Sequence, residues 1–408
     1  MPLTREEARD LDLRNPLLSA GTRERFCLPA DTIYLDGNSL GPLPVGVPGR
    51  VADLISAEWG TGLIRSWNEA NWIGSHRLVG ARIAALIGAG PADVHVGDST
   101  SVSMFKTMVA ALRARPERRV IVVERSTFPT DGYVAAGVAD LLDAQVRWCE
   151  PGAIAEALDE RVGLVCLTHV DFRTGAMFDM AEVTRLVHDA GALIQWDLCH
   201  SAGAVEVDLT GADADLAVGC TYKYLNGGPG SPAYTWVHPR LQEHLSNPIQ
   251  GWMGHRNPFA MSLDYEPLPG AARFASGTHP IIALGALDAA LDAFDGVSMQ
   301  DLRATSLSLT DLFMRLLDDR VGVDIVTPRD QNRGSQVSFT HPDAYGIVQA
   351  LIERGVIGDF RDPGIARFGF APLYVRHVDV WDAVQHLVEV LERNEHLAPG
   401  YAERAAVT

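Results

Sequence analysis

Asp197 closes the apolar run Ile194-Gln195-Trp196-Asp197, and Lys223 follows the next such run in Thr221-Tyr222-Lys223-Tyr224-Leu225-Asn226-Gly227-Gly228. A lysine can form a Schiff base with an aldehyde, and a carboxylate can keep a pyridine nitrogen protonated. Pyridoxal phosphate (PLP) asks for both. The carboxylate favours the protonated ring, and the cationic ring then takes up electrons. Beside such a cation, Lys223 is expected to have a depressed pKa that frees its amine. A strand-capping acid and a solvated loop lysine would explain a single pair equally well. The flanking segments decide between the two.

Open α/β sheets bind ligands at the carboxyl ends of their strands, and more candidates fall at such ends. Thr100 and Ser101, in Gly97-Asp98-Ser99-Thr100-Ser101, precede a helical pattern over 102–112. Hydroxyls and free N–H groups at a helix start suit a phosphate, and they suit an ordinary cap too. Phe128, in Phe128-Pro129-Thr130-Asp131, can stack on a flat ring or fill the core, with Asp131 capping the helix that follows. Thr168 ends the run 162–168, and its hydroxyl could reach a ring oxygen. His200 could orient Asp197, contact a cofactor, or be a core histidine. Gly37-Asn38-Ser39-Leu40-Gly41 fits G-x-S-x-G, but Pro42-Leu43-Pro44 stops the helix that a nucleophile elbow needs. Ser39 is therefore not read as a nucleophile. No G-x-G-x-x-G or P-loop pattern occurs, so dinucleotides and nucleoside triphosphates lose support.

The elements that must position these residues follow from periodicity. Strand-like runs at 120–124, 162–168, 192–196, 216–221 and 233–238 alternate with helical patterns at 132–142, 153–158 and 180–190. Apolar strands separated by helices predict a mostly parallel sheet covered on both faces. Helical periodicity also covers 50–59 and 75–87, before the sheet. Helical stretches at 280–294 and 299–317 lead to a mixture of strands (323–326, 336–340, 365–369) and helices (344–354, 380–392), read as a smaller α+β domain. The division expected is an N-terminal, loop-like extended arm over 1–50, a large domain over 51–300 and a small C-terminal domain over 301–408, to which the arm contributes.

A chain of 408 residues with 47% hydrophobic and 21% charged residues has room for two or three domains and a sizeable core. A net charge of −18 disfavours nucleic acid and anionic membrane as partners. The first residues are polar, and no apolar run approaches the ~18 residues of a membrane span. The five cysteines are scattered without a C-x-x-C pair, and no H-E-x-x-H occurs. Reduced core cysteines, a cytoplasmic location and no metal are the expectation.

Tyr34-Leu35-Asp36-Gly37-Asn38-Ser39-Leu40-Gly41, Phe128-Pro129-Thr130-Asp131, Trp196-Asp197-Leu198-Cys199-His200-Ser201-Ala202-Gly203, Thr221-Tyr222-Lys223-Tyr224-Leu225-Asn226 and Gly251-Trp252-Met253-Gly254-His255 together resemble the kynureninase family. The resemblance implies the fold-type-I PLP architecture, an α/β large domain with a seven-stranded sheet plus the smaller α+β domain. It implies a homodimer with shared active sites. It also implies hydrolysis of L-kynurenine to anthranilate and L-alanine, and of 3-hydroxykynurenine to 3-hydroxyanthranilate, in tryptophan catabolism. By the same resemblance Thr100, Ser101, Tyr222, Trp252 and Thr278 would hold the phosphate, the last two from the other subunit. Phe128 would stack on the ring, with Pro129, Thr130 and Asp131 around the cofactor. Thr168 would contact the ring, Asp197 its nitrogen, and His200 would lie alongside. Lys223 would carry the cofactor, with Tyr222 as a proton relay. Arg367, in Ala366-Arg367-Phe368-Gly369-Phe370-Ala371-Pro372-Leu373-Tyr374, would clamp the substrate α-carboxylate, a task suited to a guanidinium fork.

Rival readings have distinct signatures. A cysteine desulfurase needs a mobile cysteine after the lysine, and none follows Cys220. An aminotransferase shares most of the chemistry and would release a keto acid. A silent binding protein would have no use for Asp197, Lys223 and Arg367 together.

Overall fold

The computed structural model describes residues 3–402 and Arg404; Met1, Pro2 and the last positions of the 301–408 span, 403 and 405–408, lie outside it. After a short strand β1 (Ile33–Tyr34), one large sheet takes up β2 (Val94–Val96), β3 (Val120–Glu124), β4 (Gln145–Cys149), β5 (Val162–Thr168), β6 (Leu193–Asp197), β7 (Leu216–Gly219) and β8 (Tyr234–Val237). Their order is β2-β8-β7-β6-β5-β3-β4, and β8 alone runs against its neighbours. Every residue of β3, β5, β6 and β7 is buried, as expected of a sheet covered on both faces.

Side chains alternate across this sheet with the period of two that a pleated strand imposes. Ile121, Val123, Leu164 and Cys166 pack with Met104, Met108 and Val138, under the helices Thr100–Arg113 and Pro129–Leu142. Val122, Val165, Leu167 and Ile194 face a second core with Val187 of the helix Met180–Asp189 and with Leu284 and Leu309 of later helices. Each fully buried aliphatic side chain contributes roughly 1.5–3 kcal/mol, so these two layers fix the strand register. β5, β6 and β7 are adjacent and parallel, so their carboxyl ends share one edge.

The last third holds a four-stranded antiparallel sheet, ordered β12-β13-β10-β9, from β9 (Asp324–Ile325), β10 (Gln336–Thr340), β12 (Asp359–Arg361) and β13 (Ile365–Gly369). The two-residue β11 (Val356–Ile357) pairs in parallel with β1, which ties the N-terminal segment to this part of the chain.

The structure corrects several local expectations. The first fifty residues are not simply loop-like: a helix at Arg5–Leu13 starts with a capping box between Thr4 and Glu7. It docks on the helix His377–Glu392, with Arg5 paired to Asp382 at 2.7 Å. The helix expected over 153–158 is only a 3₁₀ turn, Ala155–Ala157, because six residues are too few to repay helix nucleation. The pattern at 50–59 begins as the helix Val47–Asp53 and widens into a π-helical stretch, Leu54–Gly62. β2 and β4 were not expected; β4 is an edge strand with an exposed Trp148 and lacks the apolar signature of its neighbours. Among the described residues no helix is long and apolar enough to cross a membrane, and no group of His, Cys, Asp or Glu side chains is placed to hold a metal ion.

Candidate active site

Thr168 and Asp197 are direct partners in register at the ends of β5 and β6. Past β7 the chain turns through Cys220-Thr221-Tyr222 and brings Lys223 to the same edge. That turn is tied by Asn226 N–H to Lys223 O at 2.9 Å and Gly227 N–H to Thr221 O at 2.8 Å. The N-terminal segment crosses it where Gly41 N–H donates to Tyr222 O at 2.8 Å. A Cβ on Gly41 would lie 2.4 Å from Lys223 O, so only glycine allows this approach.

These elements enclose a cavity of about 210 Å³ lined by Ser99, Thr100, Ser101, Phe128, Thr130, Asp131, Thr168, Phe172, Asp197, Cys199, His200, Tyr222 and Lys223. A larger hollow of about 790 Å³ beside the N-terminal segment is lined by Arg376, Asp379 and Arg354, whose charges are already paired. The smaller cavity is where chemically competent groups converge.

Lys223 Nζ lies 3.0 Å from His200 Nε2, 6.0 Å from the centre of the Phe128 ring and 5.8 Å from that of Tyr222. Its pKa departs from the sequence expectation. Burial lowers it, but Cys220, Cys199, Tyr222 and Asp197 together outweigh burial and hold it above the ordinary lysine value. The protein's own groups therefore do not supply the lowering expected beside a cationic ring. Burial pushes the Asp197 carboxyl up, against the Cys199 N–H that donates to Oδ1 at 2.8 Å and against Lys223. Asp131 sits well above the carboxylate range, first through burial and then through Asp197. Its Oδ2 accepts from Thr127 at 2.9 Å and Thr168 at 3.2 Å. Burial drives His200 down, and Lys223 and Arg367 drive it further. Tyr222 is pushed up to about 12, mainly by burial, and keeps its proton.

The groups left over match PLP. Ser99 caps the helix Thr100–Arg113 through Val102 N–H at 3.4 Å, so the N–H groups of Thr100 and Ser101 open the helix without protein acceptors from that cap. A helix start of this kind suits a phosphate. Asp197 uses Oδ1 on the backbone, leaving Oδ2 for a ring N–H. Phe128 is 44% exposed, with Phe172 edge-on to it at 5.2 Å, so one aromatic face is available for stacking. Lys223 supplies the amine.

Pro129 does not line this cavity; it opens the helix behind Thr130. Trp252, 40% exposed and stacked edge-on against Phe259, and the exposed Thr278 also lie outside it within one chain. Arg367 is buried and committed. Nε donates to Asp359 Oδ1 at 2.8 Å, Nη2 to Asp359 Oδ2 and to Ser39 Oγ at 3.1 Å, and Nη1 to Phe172 O. Ser39 thus belongs to the arginine cluster, its hydroxyl donating to Asp359 Oδ2 at 2.7 Å. Phe172 and Gln336 escaped sequence reasoning. Gln336 Oε1 lies 3.0 Å from His200 Nδ1, a contact between distant segments that no local pattern announces. The chain has just two lysines; Lys106, the other, is 2% exposed, paired with Asp98 and donating to Phe274 O at 2.9 Å.

A family model described as the kynureninase C-terminal domain matches residues 302–387. A kynureninase of Burkholderia pseudomallei (strain 1106a) is 52% identical over 416 residues, spanning 99% of this chain and 100% of that one. A kynureninase of Pseudomonas fluorescens is 50% identical over the same span. Among solved structures, the cysteine desulfurase CsdA of Escherichia coli superposes with a TM-score of 0.78 at 20% identity, covering 92% of this chain and 98% of that one. A mutant of C-DES with glycine covalently linked to its PLP cofactor gives 0.79 at 17% identity, covering 90% and 99%. At such identities these structures show the fold alone.

Proposed function

The chain belongs to the kynureninase family, and from that premise we infer that it hydrolyses L-kynurenine to anthranilate and L-alanine at the cavity around Lys223, with PLP as cofactor. The fold is that of the fold-type-I PLP enzymes. What the cofactor supplies when bound is an aldehyde for the substrate amine and an electron-accepting ring.

The observation that carries the reading is the convergence of Lys223, Asp197, His200 and Thr168 on one cavity beside a helix start. Lys223 Nζ would hold the cofactor, then exchange a proton with the substrate α-carbon. Asp197 would hold the ring N–H, and Thr100, Ser101 and Tyr222 the phosphate. Phe128, Thr130, Asp131 and Thr168 would shape the ring's seat. Tyr222, protonated at working pH, would relay a proton. Water would add to the γ-carbonyl; the Cβ–Cγ bond would then break with its electron pair left on Cβ, which takes up a proton to become the methyl of alanine, while the water oxygen leaves in the anthranilate carboxylate. Arg367 would bind the α-carboxylate through the one N–H left of its five, the other four holding the guanidinium on Asp359, Ser39 and Phe172 and not free to form a fork. The same chemistry would serve 3-hydroxykynurenine, and both reactions would belong to tryptophan catabolism.

Trp252 and Thr278 would complete the phosphate site of a second copy, which makes the working form a homodimer. Residues 51–300 would be the cofactor domain, and 301–408 with the N-terminal segment the smaller one. Five free cysteines, three of them buried, fit a reducing cytoplasm. Transamination is not favoured by a chain-long likeness to kynureninases.

The purified protein should show the visible band of a bound PLP imine and release fluorescent anthranilate on addition of L-kynurenine. A keto acid in place of anthranilate and alanine would overturn the assignment.

A further inference from the structure

We propose that Gln336 is a positioning residue for this reaction: it fixes a proton on His200 Nδ1, makes His200 Nε2 the acceptor that orients Lys223, and so ties the lysine to the seating of the C-terminal sheet. This rests on Lys223 and His200 belonging to the reacting site.

Gln336 opens β10 and is 1% exposed. Its Nε2 donates to Asp171 O at 3.2 Å and to Phe172 O at 3.0 Å. Carbonyls only accept, so both amide hydrogens must face them and the amide cannot flip. Oε1 is left facing His200 Nδ1 at 3.0 Å. An amide oxygen cannot donate, so the hydrogen in that contact belongs to the imidazole. A neutral ring protonated at Nδ1 has a bare Nε2, and Lys223 Nζ stands 3.0 Å from it. Burial, Lys223, Arg367 and Arg361 all disfavour a second proton on the ring, while Asp197, Cys199, Cys220 and Tyr222 face the lysine.

The receiving loop is rigid. Asp171 Oδ1 accepts from Arg173 N–H at 3.0 Å, from Thr174 N–H at 2.6 Å and from the Thr174 hydroxyl at 2.8 Å, which sets both carbonyls. Gly175, at φ +75°, leaves room for Gln336, whose Cγ would lie 3.0 Å from a Cβ there. Arg367 Nη1 reaches the same Phe172 carbonyl. One loop therefore anchors both the substrate-side arginine and the glutamine behind the histidine. A glutamine that served packing alone could satisfy itself on backbone; this one spends its oxygen on an active-site ring.

The test combines spectroscopy with kinetics on the PLP-loaded enzyme. In ¹⁵N-histidine spectra, the signal lost in His200→Gln should show a protonated Nδ1; a bare Nδ1 overturns the proposal without any Gln336 variant. Gln336→Met, similar in volume but without the acceptor, should lower kcat about tenfold or more with KM little changed, and should shift the acid limb of kcat/KM. Gln336→Glu keeps an acceptor toward Nδ1 but gives up both donors to the loop carbonyls, so a smaller loss of kcat than in Gln336→Met assigns the effect to the Nδ1 contact and not to the loop anchor. A merely structural glutamine would lower the melting temperature and leave kcat and its pH profile in place, which also overturns it. Lys223→Ala separates the two readings. If that variant still turns over, the site assignment has failed; if it is dead while the Gln336 variants match wild type, only the role of Gln336 has failed.

Discussion

The cavity around Lys223 has a wall of its own on the sheet side and, behind Phe172, a second wall of buried charges that does not line it, and the two use their polar groups in opposite ways. On the sheet side, Lys223, Asp197 and Tyr222 are held at shifted pKa values with hydrogen-bonding capacity to spare. On the C-terminal side, Arg367, Asp359, Ser39 and Arg361 satisfy one another almost completely. Unspent groups can exchange protons and bonds with a ligand. Spent groups have little left for a ligand, one N–H in the case of Arg367, and what they offer is a fixed geometry. Chemistry and positioning are thus divided between the strand ends of the seven-stranded sheet and the four-stranded antiparallel sheet.

That division makes graded predictions. Lys223→Ala strikes the unspent wall where the covalent bond to the cofactor would form, so turnover should fall at least about 10³-fold and the imine band should vanish; wild-type turnover would dissolve the comparison. Asp197→Asn keeps the shape and removes the charge, so kcat should drop by roughly two decades with little change in KM. Steady-state kinetics that show the loss in KM instead would move Asp197 to the binding wall. Arg367→Lys belongs to the spent wall and should do the reverse, raising KM about 10–100-fold with kcat changing less, because an ammonium cannot replace the two-pronged contact with Asp359 that aims the arginine. A variant equally damaged in kcat would show that the arginine also acts in the chemical step.

The smallest effect concerns pH. Asp36, behind the arginine cluster, is raised to about 7 by burial and then by Asp359. Folded Asp36 therefore keeps its proton where the unfolded chain, with an acid pKa near 4, has lost it. Its contribution is fully present below that unfolded value and is lost as pH rises through about 7. Asp36→Asn should remove this slope, so the melting temperature at pH 8 should exceed that of wild type by roughly 1–3 °C. Melting curves with unchanged pH dependence would count against it.

The unspent wall was legible in the sequence because each of its residues terminates an apolar run. Asp197, Thr168 and Lys223 end or follow β6, β5 and β7, and a parallel sheet puts such ends side by side. The spent wall was mostly illegible. Gln336 and Phe172 meet across 164 positions of chain, and Ser39 reaches Arg367 across 328. Such contacts are products of tertiary packing, with no local period to reveal them. The N-terminal helix did leave a signal, the Thr4-to-Glu7 capping box, obscured by a sequence polar on most faces. β4, partly exposed at the sheet edge, had none to leave.

The pairing of lysines has a practical side. Lys106 is sealed beneath Asp98 and Phe274, and apart from Lys223 and the histidines the remaining basic side chains are all arginine. An aldehyde in solution forms imines with lysine amines and leaves guanidinium groups alone, because arginine stays charged at any working pH. On most proteins PLP would therefore decorate many surface sites before it found its own. Here, chain-terminal amine aside, Lys223 is the reachable target. Borohydride reduction of the loaded protein should thus fix a single pyridoxyl label per chain, and digestion followed by mass spectrometry should find it on the peptide containing Lys223.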